Sequence, residues 1–336
     1  MSGKPIIAIT TGDPAGIGPE IVLKAMGAAE VYDVCLPLVI GAPAVLSWMA
    51  THLGLNIDIR SWSSCPEALW RAGTANVLSV GSLEPQHVAV GEVSASTGRA
   101  AMEYVSEAAR LALSGEVAAI VTGPISKEAA RLAGYPDMGH MEFFARITGV
   151  KRQATMLVAD TLRVVHLSTH KSLREAYGFV TREGILDKVL LIYQCFRKWG
   201  FEQPRIGVAA LNPHAGEGGL LGTEELEQIA PAVADARQLG IEVTGPIPAD
   251  VIFSKAIAGE FDVVLAMYHD QGHIPIKTHN FERSVSVALG LPFVRASVDH
   301  GTAFDIAGKG VASPDSLIQA IKVASQLYEA RRLSST

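Results

Sequence analysis

Three histidines of this chain stand where a metal-binding enzyme would place them. His170, His214 and His269 each follow, within a few residues, a short apolar stretch of the kind that forms a buried strand. In open α/β sheets the carboxyl ends of the strands meet at one ligand-binding edge, so side chains from separate strands converge there. Three imidazoles with an open coordination position commonly hold a catalytic divalent metal. Taken singly, each histidine is more simply explained as a hydrogen-bonded core or surface residue.

Two aspartates are candidates for a further role at such a site. Asp270 directly follows His269, and Asp250 stands in the segment Pro248-Ala249-Asp250. Each can be a further metal ligand, the group that orients an imidazole, or a base. As isolated residues, aspartates more often cap helices or form turns.

The elements that must position these residues alternate along the whole chain. β-branched runs and helical patterns follow one another, which predicts an α/β fold with a buried, mostly parallel sheet. The predicted strands are Ile6–Thr10, Val34–Ile40, Ala118–Thr122, Leu162–Ser168, Ile206–Leu211 and Val263–Met267. Helices are predicted after Thr181 and Thr223, where apolar residues recur every three or four positions, and at Ser313-Pro314, an N-cap followed by a proline.

Length and composition are those of a well-packed globular protein. The 336 residues are 49% hydrophobic and 18% charged, which favours two lobes or one large interwound domain. The formal charge of −6 argues against nucleic acid or an anionic membrane as the main partner. Cys35, Cys65 and Cys195 form no CxxC pair, which indicates a reducing compartment. Since neither a signal peptide nor an apolar run of about 20 residues is found, we expect a cytoplasmic protein.

Two glycine-rich segments lie near the ends of the chain. The first, Thr11–Glu20, is neither a GxGxxG motif nor a P-loop, and a tight turn with Pro19 at the first helical position is enough to explain it. The second, Asp299–Gly310, can present backbone N–H groups and His300 to a nucleotide, although an ordinary surface loop has the same composition.

The same two segments give the chain a resemblance to a known family. Gly16–Glu20 and the run from His300 to Lys309 resemble the first-strand turn and the adenine-binding loop of the isopropylmalate and isocitrate dehydrogenases. The chain is still more similar to the 4-hydroxythreonine-4-phosphate dehydrogenase family of pyridoxal phosphate biosynthesis, over essentially its whole length. The motifs that carry this resemblance are Gly12–Glu20, Leu211–Glu217, Ala266–Gly272 and Gly290–Arg295.

The resemblance implies an isocitrate/isopropylmalate dehydrogenase-like fold, with two α/β lobes and an active-site cleft between them. Residues 1–140 and 300–336 would form the cofactor-side lobe, and residues 141–299 the lobe for metal binding and dimerisation. It also implies that His170, His214 and His269 are metal ligands contributed across a homodimer interface, so that both subunits build each site.

The implied reaction is the oxidation of a small anionic hydroxy acid by NAD or NADP with a divalent metal (Zn, Mg, Mn or Co), followed by decarboxylation. The implied cofactor-binding residues are Gly12, Asp13, His300, Gly301, Thr302 and Asp305. The resemblance places His140, Lys277 and Arg295 on the substrate, and such a set can neutralise a carboxylate and a phosphate. The candidates for proton transfer are Asp250, Asp270 and Lys277.

Two substrate-binding positions depart from the pattern of the biosynthetic enzymes. Met141 stands where they carry threonine, and Ser286 stands where they carry asparagine. The segment Gly272–Pro275 resembles catabolic members that act on threonate or erythronate 4-phosphate, and more distant relatives oxidise the dihydrodiol of terephthalate. The substrate therefore stays open among these. A three-histidine metal hydrolase or lyase is the alternative if His300–Lys309 binds no nucleotide, and a non-catalytic binding protein is a third possibility.

Overall fold

The strand and helix patterns of the sequence form an α/β fold in which most neighbouring strands are parallel. This computed structural model describes residues 3–62, 69–137 and 139–333. The chain divides into two units, Met1–Lys151 with Leu291–Glu329 and Arg152–Gly290 with Ala330–Thr336. Cys35 and Cys195 are buried free thiols, whereas Cys65 lies outside the described residues.

The first unit is built on strands that pair in parallel throughout. Numbered along the whole chain, they are β1 (Ile6–Thr10), β2 (Leu36–Gly41), β3 (Asp58–Ser61), β4 (Thr74–Ser79), β5 (Ala119–Thr122) and β12 (Val294–Val298). Their order is β3-β4-β2-β1-β5-β12. β5 and β12 are buried along their whole length, as expected for central strands of a parallel sheet.

Helices connect the strands of this unit and cover its buried faces. They are α1 (Gly18–Gly27), α2 (Ala29–Val34), α3 (Pro43–His52), α4 (Ala95–Leu113), α5 (Lys127–Leu132), α6 (His140–Thr148) and α12 (Asp315–Leu333), with a short 3-10 turn at Pro85–His87. A Ser94 side chain accepts a hydrogen bond from the Thr97 N–H at the start of α4, and Ser126 does the same for α5.

The second unit has parallel strands and one antiparallel insertion. Its strands are β6 (Ala154–Ala159), β7 (Leu162–His166), β8 (Ile206–Ala209), β9 (Val243–Ile247), β10 (Val263–Ala266) and β11 (Val285–Leu289), in the order β11-β6-β7-β10-β8-β9. β6 runs antiparallel to both β11 and β7, and the other pairings are parallel. The β6–β7 connection is a tight turn at Asp160, whose φ is 51°.

The helices of the second unit pack against this sheet. They are α7 (Leu173–Tyr177), α8 (Arg182–Lys198), α9 (Ala230–Gln238), α10 (Ala249–Ile257) and α11 (His269–His279), with a 3-10 segment at Pro213–Gly219 and a π-helical turn at Glu225–Ile229. Ile252 of α10 and Ile276 of α11 are fully buried in one apolar cluster with strand residues such as Val164 and Val264. This packing fixes where α11, and so His269 at its first position, stands on the sheet.

All six predicted strands are present, each ending within two residues of its predicted end. The helices predicted after Thr181 and at Ser313-Pro314 are confirmed as α8 and α12. The helix predicted after Thr223 begins with the π-helical turn and continues as α9. Pro19 occupies the second position of α1, because Gly18 is the first helical residue. Among the described residues, no helix combines the length and the apolar character needed to cross a bilayer.

Candidate active site

The three histidines singled out in the sequence follow three neighbouring parallel strands. β10 pairs in parallel with β7 on one side and with β8 on the other. His170 stands four residues after the end of β7, His214 five after β8 and His269 three after β10. Gln271 links two of these strand ends, because its side chain accepts from the Met267 N–H and donates to the Ala210 carbonyl, each at 2.7 Å. The topology thus carries all three imidazoles to one edge of this sheet.

His170 and His269 lie side by side in the single chain. Their ring centroids are 5.5 Å apart, and both line a cavity of about 210 Å³ together with Tyr268 and Asp270. The Nδ1 of His269 donates to a carboxylate oxygen of Asp270 at 2.7 Å. The lone pair on the Nε2 of His269 is then available to a ligand, which is how metal-binding histidines are usually oriented. This pair of imidazoles therefore suits a divalent cation.

His214 has a different setting. It is exposed and begins a run of left-handed residues from His214 to Gly218, with φ between 45° and 76°. A left-handed conformation costs about 1 kcal/mol or more for each residue that carries a side chain. Within the described part of one chain, no group of three or more His, Cys, Asp or Glu side chains has the geometry of a metal site. One chain thus brings together two of the three predicted ligands.

Two further histidines surround His269, and neither is among the site residues that the sequence predicts. The ring of His273 stacks on that of His269 with centroids 3.6 Å apart, and its Nδ1 lies 3.1 Å from both the His166 Nε2 and the His269 carbonyl oxygen. A carbonyl oxygen can only accept, so His273 Nδ1 carries the hydrogen and His166 Nε2 accepts it. Burial, with smaller contributions from the neighbouring imidazoles, lowers the pKa of His166 to about 3, which keeps it neutral.

A buried guanidinium forms the candidate anion-binding site of the first unit. Arg295, the second residue of β12, is only 4% exposed. One NH2 group donates to the Thr122 hydroxyl at 2.5 Å, while Nε has no hydrogen-bond partner among the described residues. Burial lowers the pKa of Arg295 to about 9, and no carboxylate within residues 3–62, 69–137 and 139–333 offsets it. A buried cation without an acidic partner is a site prepared for an anion.

His140 belongs to the same site. Its ring lies parallel to that of Phe144, and the guanidinium carbon of Arg295 stands 6.0 Å from the Phe144 ring centre. Burial and then the charge of Arg295 hold the pKa of His140 well below its usual value, and its Nε2 is buried with no partner in the described part of the chain. Met141 follows in the first turn of α6 and is half-buried. The structure thus brings three of the predicted substrate residues into one region of the first unit.

The remaining substrate and catalytic candidates lie in the second unit. Lys277, in the last turn of α11, donates to the Ser284 hydroxyl at 2.9 Å and stands 4.8 Å from the Phe281 ring centre. Ser286 is a buried residue of β11 that pairs with Leu157 of β6. Asp250 is exposed in the first turn of α10. Asp270 accepts from the His269 Nδ1, as described above, which is the contact of an orienting group.

The glycine-rich turn after β1 is shaped by close backbone approach. Gly12 has a φ of +70°, and a Cβ there would lie 2.2 Å from the Pro124 carbonyl oxygen, so only glycine fits. Asp13 is fully buried, and one of its carboxylate oxygens accepts from the Ala15 N–H at 3.0 Å. Burial raises the pKa of Asp13 above its ordinary value. The observed contacts of both residues hold the turn itself.

The loop from His300 to Gly310 packs on this turn. The Ile17 N–H donates to the Thr302 carbonyl at 2.9 Å, and a Cβ at Gly16 would lie 2.9 Å from Thr302. The buried carboxylate of Glu20 accepts from the N–H groups of Gly310 and Ala312 at 3.2 and 2.8 Å. His300, Gly301 and Asp305 are exposed on this loop. The structure therefore joins the two segments that the sequence proposes for the dinucleotide.

A parallel α/β fold with polar side chains gathered at the carboxyl ends of neighbouring strands is the architecture of an enzyme that acts on a small molecule. A family model described as "Pyridoxal phosphate biosynthetic protein PdxA" matches residues 33–324. The chain belongs to this family, which confirms the resemblance stated from its motifs.

Three relatives show how far the similarity extends. A protein of Halalkalibacterium halodurans named "Putative D-threonate 4-phosphate dehydrogenase" is 44% identical over 326 residues, covering 97% of this chain and 98% of that protein. The crystal structure of 4-hydroxythreonine-4-phosphate dehydrogenase from Klebsiella pneumoniae is 40% identical, with a TM-score of 0.89 over 97% of this chain and 100% of that one. The crystal structure of a terephthalate 1,2-cis-dihydrodiol dehydrogenase from Burkholderia xenovorans is 31% identical, with a TM-score of 0.67 over 96% of this chain and 98% of that one. Because all three are dehydrogenases, this is a family of oxidoreductases.

Proposed function

We propose that this protein is a dehydrogenase that uses NAD or NADP and a divalent metal to oxidise a phosphorylated four-carbon hydroxy acid, which then loses carbon dioxide. Its preferred substrate is D-threonate 4-phosphate or a close analogue, with 4-hydroxythreonine-4-phosphate as the nearest alternative. The observation that carries the proposal is the buried Arg295, which has a partner-free Nε and no neighbouring carboxylate among the described residues.

The chemistry of the anion follows from this arrangement. Arg295 supplies a planar fork of donors that matches a phosphate or carboxylate, and the low dielectric of its surroundings strengthens the attraction. His140 is neutral, so it adds a hydrogen bond rather than a second charge. A ligand with at least one permanent negative charge is therefore required, and a neutral sugar or alcohol would leave the guanidinium unneutralised.

The residues of the second unit have separate roles. His170 and His269 would hold the metal together with His214, and Asp270 fixes the ring orientation of His269. When bound, a divalent cation supplies Lewis-acid polarisation of the substrate hydroxyl, and a nicotinamide supplies the hydride acceptor. The Nζ of Lys277 is our candidate for taking the hydroxyl proton, because Asp270 is engaged with His269 and Asp250 is exposed on α10.

The substrate preference rests on Met141. The two favoured substrates differ at C2, which carries a hydroxyl in D-threonate 4-phosphate and an amine in 4-hydroxythreonine-4-phosphate. An ammonium group needs good hydrogen-bond acceptors, and a thioether is a weak one. Met141, beside His140 in α6, thus favours the hydroxy acid, in agreement with the name of the Halalkalibacterium halodurans relative.

We also propose a homodimer in which a second copy of the chain completes the metal site. His214 is exposed and is not among the residues lining the His170–His269 cavity. Large apolar side chains near these segments are exposed: Leu173 by 69%, Leu220 by 82% and Leu226 by 56%. Exposed apolar side chains grouped beside incomplete ligand sets are typical of a subunit interface.

A mixing experiment tests the dimer. If His214 and His269 of one metal site come from different subunits, His214→Ala and His269→Ala homodimers are each inactive, and subunit exchange between them restores part of the activity. If both ligands of a site come from one subunit, each site of a mixed dimer lacks one ligand, and subunit exchange restores no activity. A tandem-fused dimer with both substitutions in one half separates the cases: a shared site leaves it inactive, whereas separate sites leave it half active.

A substrate panel tests the reaction. We expect reduction of NAD or NADP in the presence of zinc, magnesium, manganese or cobalt, with the highest kcat/KM for D-threonate 4-phosphate. A higher kcat/KM for 4-hydroxythreonine-4-phosphate would place the protein in cofactor biosynthesis. Turnover of the terephthalate dihydrodiol alone would contradict the phosphorylated substrate. Hydrolysis of a phosphorylated acid without reduction of either nicotinamide would instead support a metal hydrolase.

A further inference from the structure

The segment that carries His214 has a backbone conformation that its side chains do not favour. We call Pro213–Gly219 the His214 turn. All residues from His214 to Gly218 have positive φ, and His214, Ala215 and Glu217 carry side chains. Left-handed backbone at residues other than glycine persists only where surrounding groups hold it. Contacts outside the His214 turn must therefore maintain it.

The carboxylate of Glu225 provides these contacts. Glu225 begins the π-helical turn and is only 2% exposed. Its Oε1 accepts from the backbone N–H groups of Leu211 and Asn212 at 2.8 and 2.7 Å, and its Oε2 accepts from the Asn212 side-chain amide at 2.9 Å. Three donors thus converge on one buried carboxylate at the base of the His214 turn. A buried carboxylate is stable only with such donors, so its position is tightly determined.

Glu225 also packs directly against the His214 turn. A Cβ built on Gly216 would lie 2.7 Å from the Glu225 Oε2 and 3.1 Å from the Gly222 carbonyl oxygen. Gly218, which has nearly the same φ, has open space around its Cβ position. The close approach at Gly216 is therefore a contact with Glu225 and not a general property of the left-handed backbone.

The neighbouring Glu224 extends the contact to the segment that carries His170. Its Oε2 accepts from the Asn212 side-chain amide at 2.6 Å, and its Oε1 accepts from the Tyr177 hydroxyl at 2.8 Å. Tyr177 ends α7, a helix that begins at Leu173, three residues after His170. The two carboxylates thus connect the chain segments on which His170 and His214 stand.

We propose that Glu225 is a positioning residue that sets the place of the His214 imidazole by holding the His214 turn. The inference rests on the proposed function, since it requires His214 to bind a metal. Glu225 itself bonds to Leu211 and Asn212 and would touch neither metal nor substrate. Groups of this kind, one contact removed from a ligand, commonly change metal affinity when they are replaced.

The test compares zinc affinity in matched variants of the full-length protein. Glu225→Gln keeps the volume and can still accept from the two backbone N–H groups, but it turns an amide NH2 towards that of Asn212. We expect the zinc dissociation constant, measured by chelator competition on metal-free protein, to rise about 10- to 100-fold. The control is Glu227→Gln, an exposed residue of the same π-helical turn, and we expect the wild-type constant. The cobalt-substituted variant should also show an altered visible spectrum, which a loss of stability alone would not produce.

A second pair of variants keeps the inference testable if Glu225→Gln does not fold. Gly216→Ala pushes a methyl group onto the Glu225 carboxylate, whereas Gly218→Ala adds the same backbone strain in open space. We expect weaker zinc binding only for Gly216→Ala. His214→Ala separates the two claims. If His214→Ala binds zinc as tightly as the wild type, the proposed metal site is wrong and this inference falls with it. If His214→Ala loses zinc while Glu225→Gln and Gly216→Ala keep wild-type affinity, Glu225 does not position His214.

Discussion

Replacing Arg295 by methionine should stabilise the protein while it removes substrate binding. Arg295 is 4% exposed, and burial lowers its pKa to about 9, well below the ordinary value of a guanidinium. At about 1.4 kcal/mol per pKa unit, this corresponds to a penalty on the order of 5 kcal/mol for the charged form in the folded state. Methionine has a similar length and no charge, and loss of the bond to Thr122 costs about 1 kcal/mol. The free energy of unfolding should therefore rise by about 2 kcal/mol or more.

The pH at which this difference is visible follows from the direction of the shift. The folded pKa of Arg295 lies below the unfolded one, so the unfolded chain binds more protons above about pH 9 and stability rises with pH there. Below about pH 9 the penalty is fully present. Urea unfolding at pH 7.5 without substrate therefore measures the whole effect.

Measurements of substrate binding and a control variant that keeps the positive charge complete the experiment. D-threonate 4-phosphate should raise the melting temperature of the wild type but not of Arg295→Met, whose KM should increase at least about 30-fold because a lost buried charge contact costs about 2–5 kcal/mol. Arg295→Lys keeps the charge without the planar fork, so it should not gain stability and should still bind weakly. An Arg295→Met protein that is less stable than the wild type and has an unchanged KM would refute the conclusion that Arg295 carries an uncompensated charge that binds the substrate.

Three further predictions concern the rest of the site. Burial keeps His140 neutral, whereas an unfolded histidine titrates near pH 6.5, so the free energy of unfolding falls below that pH by up to about 1.4 kcal/mol per pH unit. His140→Phe should reduce this pH dependence, measured by urea unfolding at pH 7.5 and at pH 5. An unchanged pH dependence would contradict the prediction. Gly12→Ala should lower the melting temperature more than Gly54→Ala, which shares the positive φ but has open space at Cβ; equal losses would mean that strain, and not the 2.2 Å approach, matters. The double variant Met141→Thr, Ser286→Asn should raise kcat/KM for 4-hydroxythreonine-4-phosphate relative to kcat/KM for D-threonate 4-phosphate. An unaltered ratio would mean that neither residue determines the substrate preference.

Sequence patterns predict well where periodicity and burial coincide. β1 was predicted with its observed bounds, because five β-branched and small residues are followed at once by a glycine turn. The apolar spacing predicts α8 and the N-cap with its proline predicts α12, and the caps form as expected: Thr181 accepts from the Gly184 N–H, and Ser313 accepts from the Asp315 N–H. These are local signals, so one sequence contains them.

Long-range contacts account for what the sequence could not predict. β6 is antiparallel because a tight turn at Asp160 returns the chain, a feature that no hydrophobic period shows. The pairing of His166 with His273 joins residues 107 positions apart. Glu225 reads as an ordinary helical glutamate, although it is buried at the base of the His214 turn. A Cβ at Gly272 would lie 2.3 Å from the His166 ring, so the glycine before His273 is explained by a contact that the structure alone shows.

The metal-dependent oxidation of a phosphorylated acid is tested most directly by product stoichiometry. Chelator-treated protein with D-threonate 4-phosphate and NAD or NADP should be inactive. After a divalent metal is restored, the protein should release one carbon dioxide for each reduced nicotinamide formed. Equal turnover before and after metal removal, or reduced nicotinamide without carbon dioxide, would contradict the account.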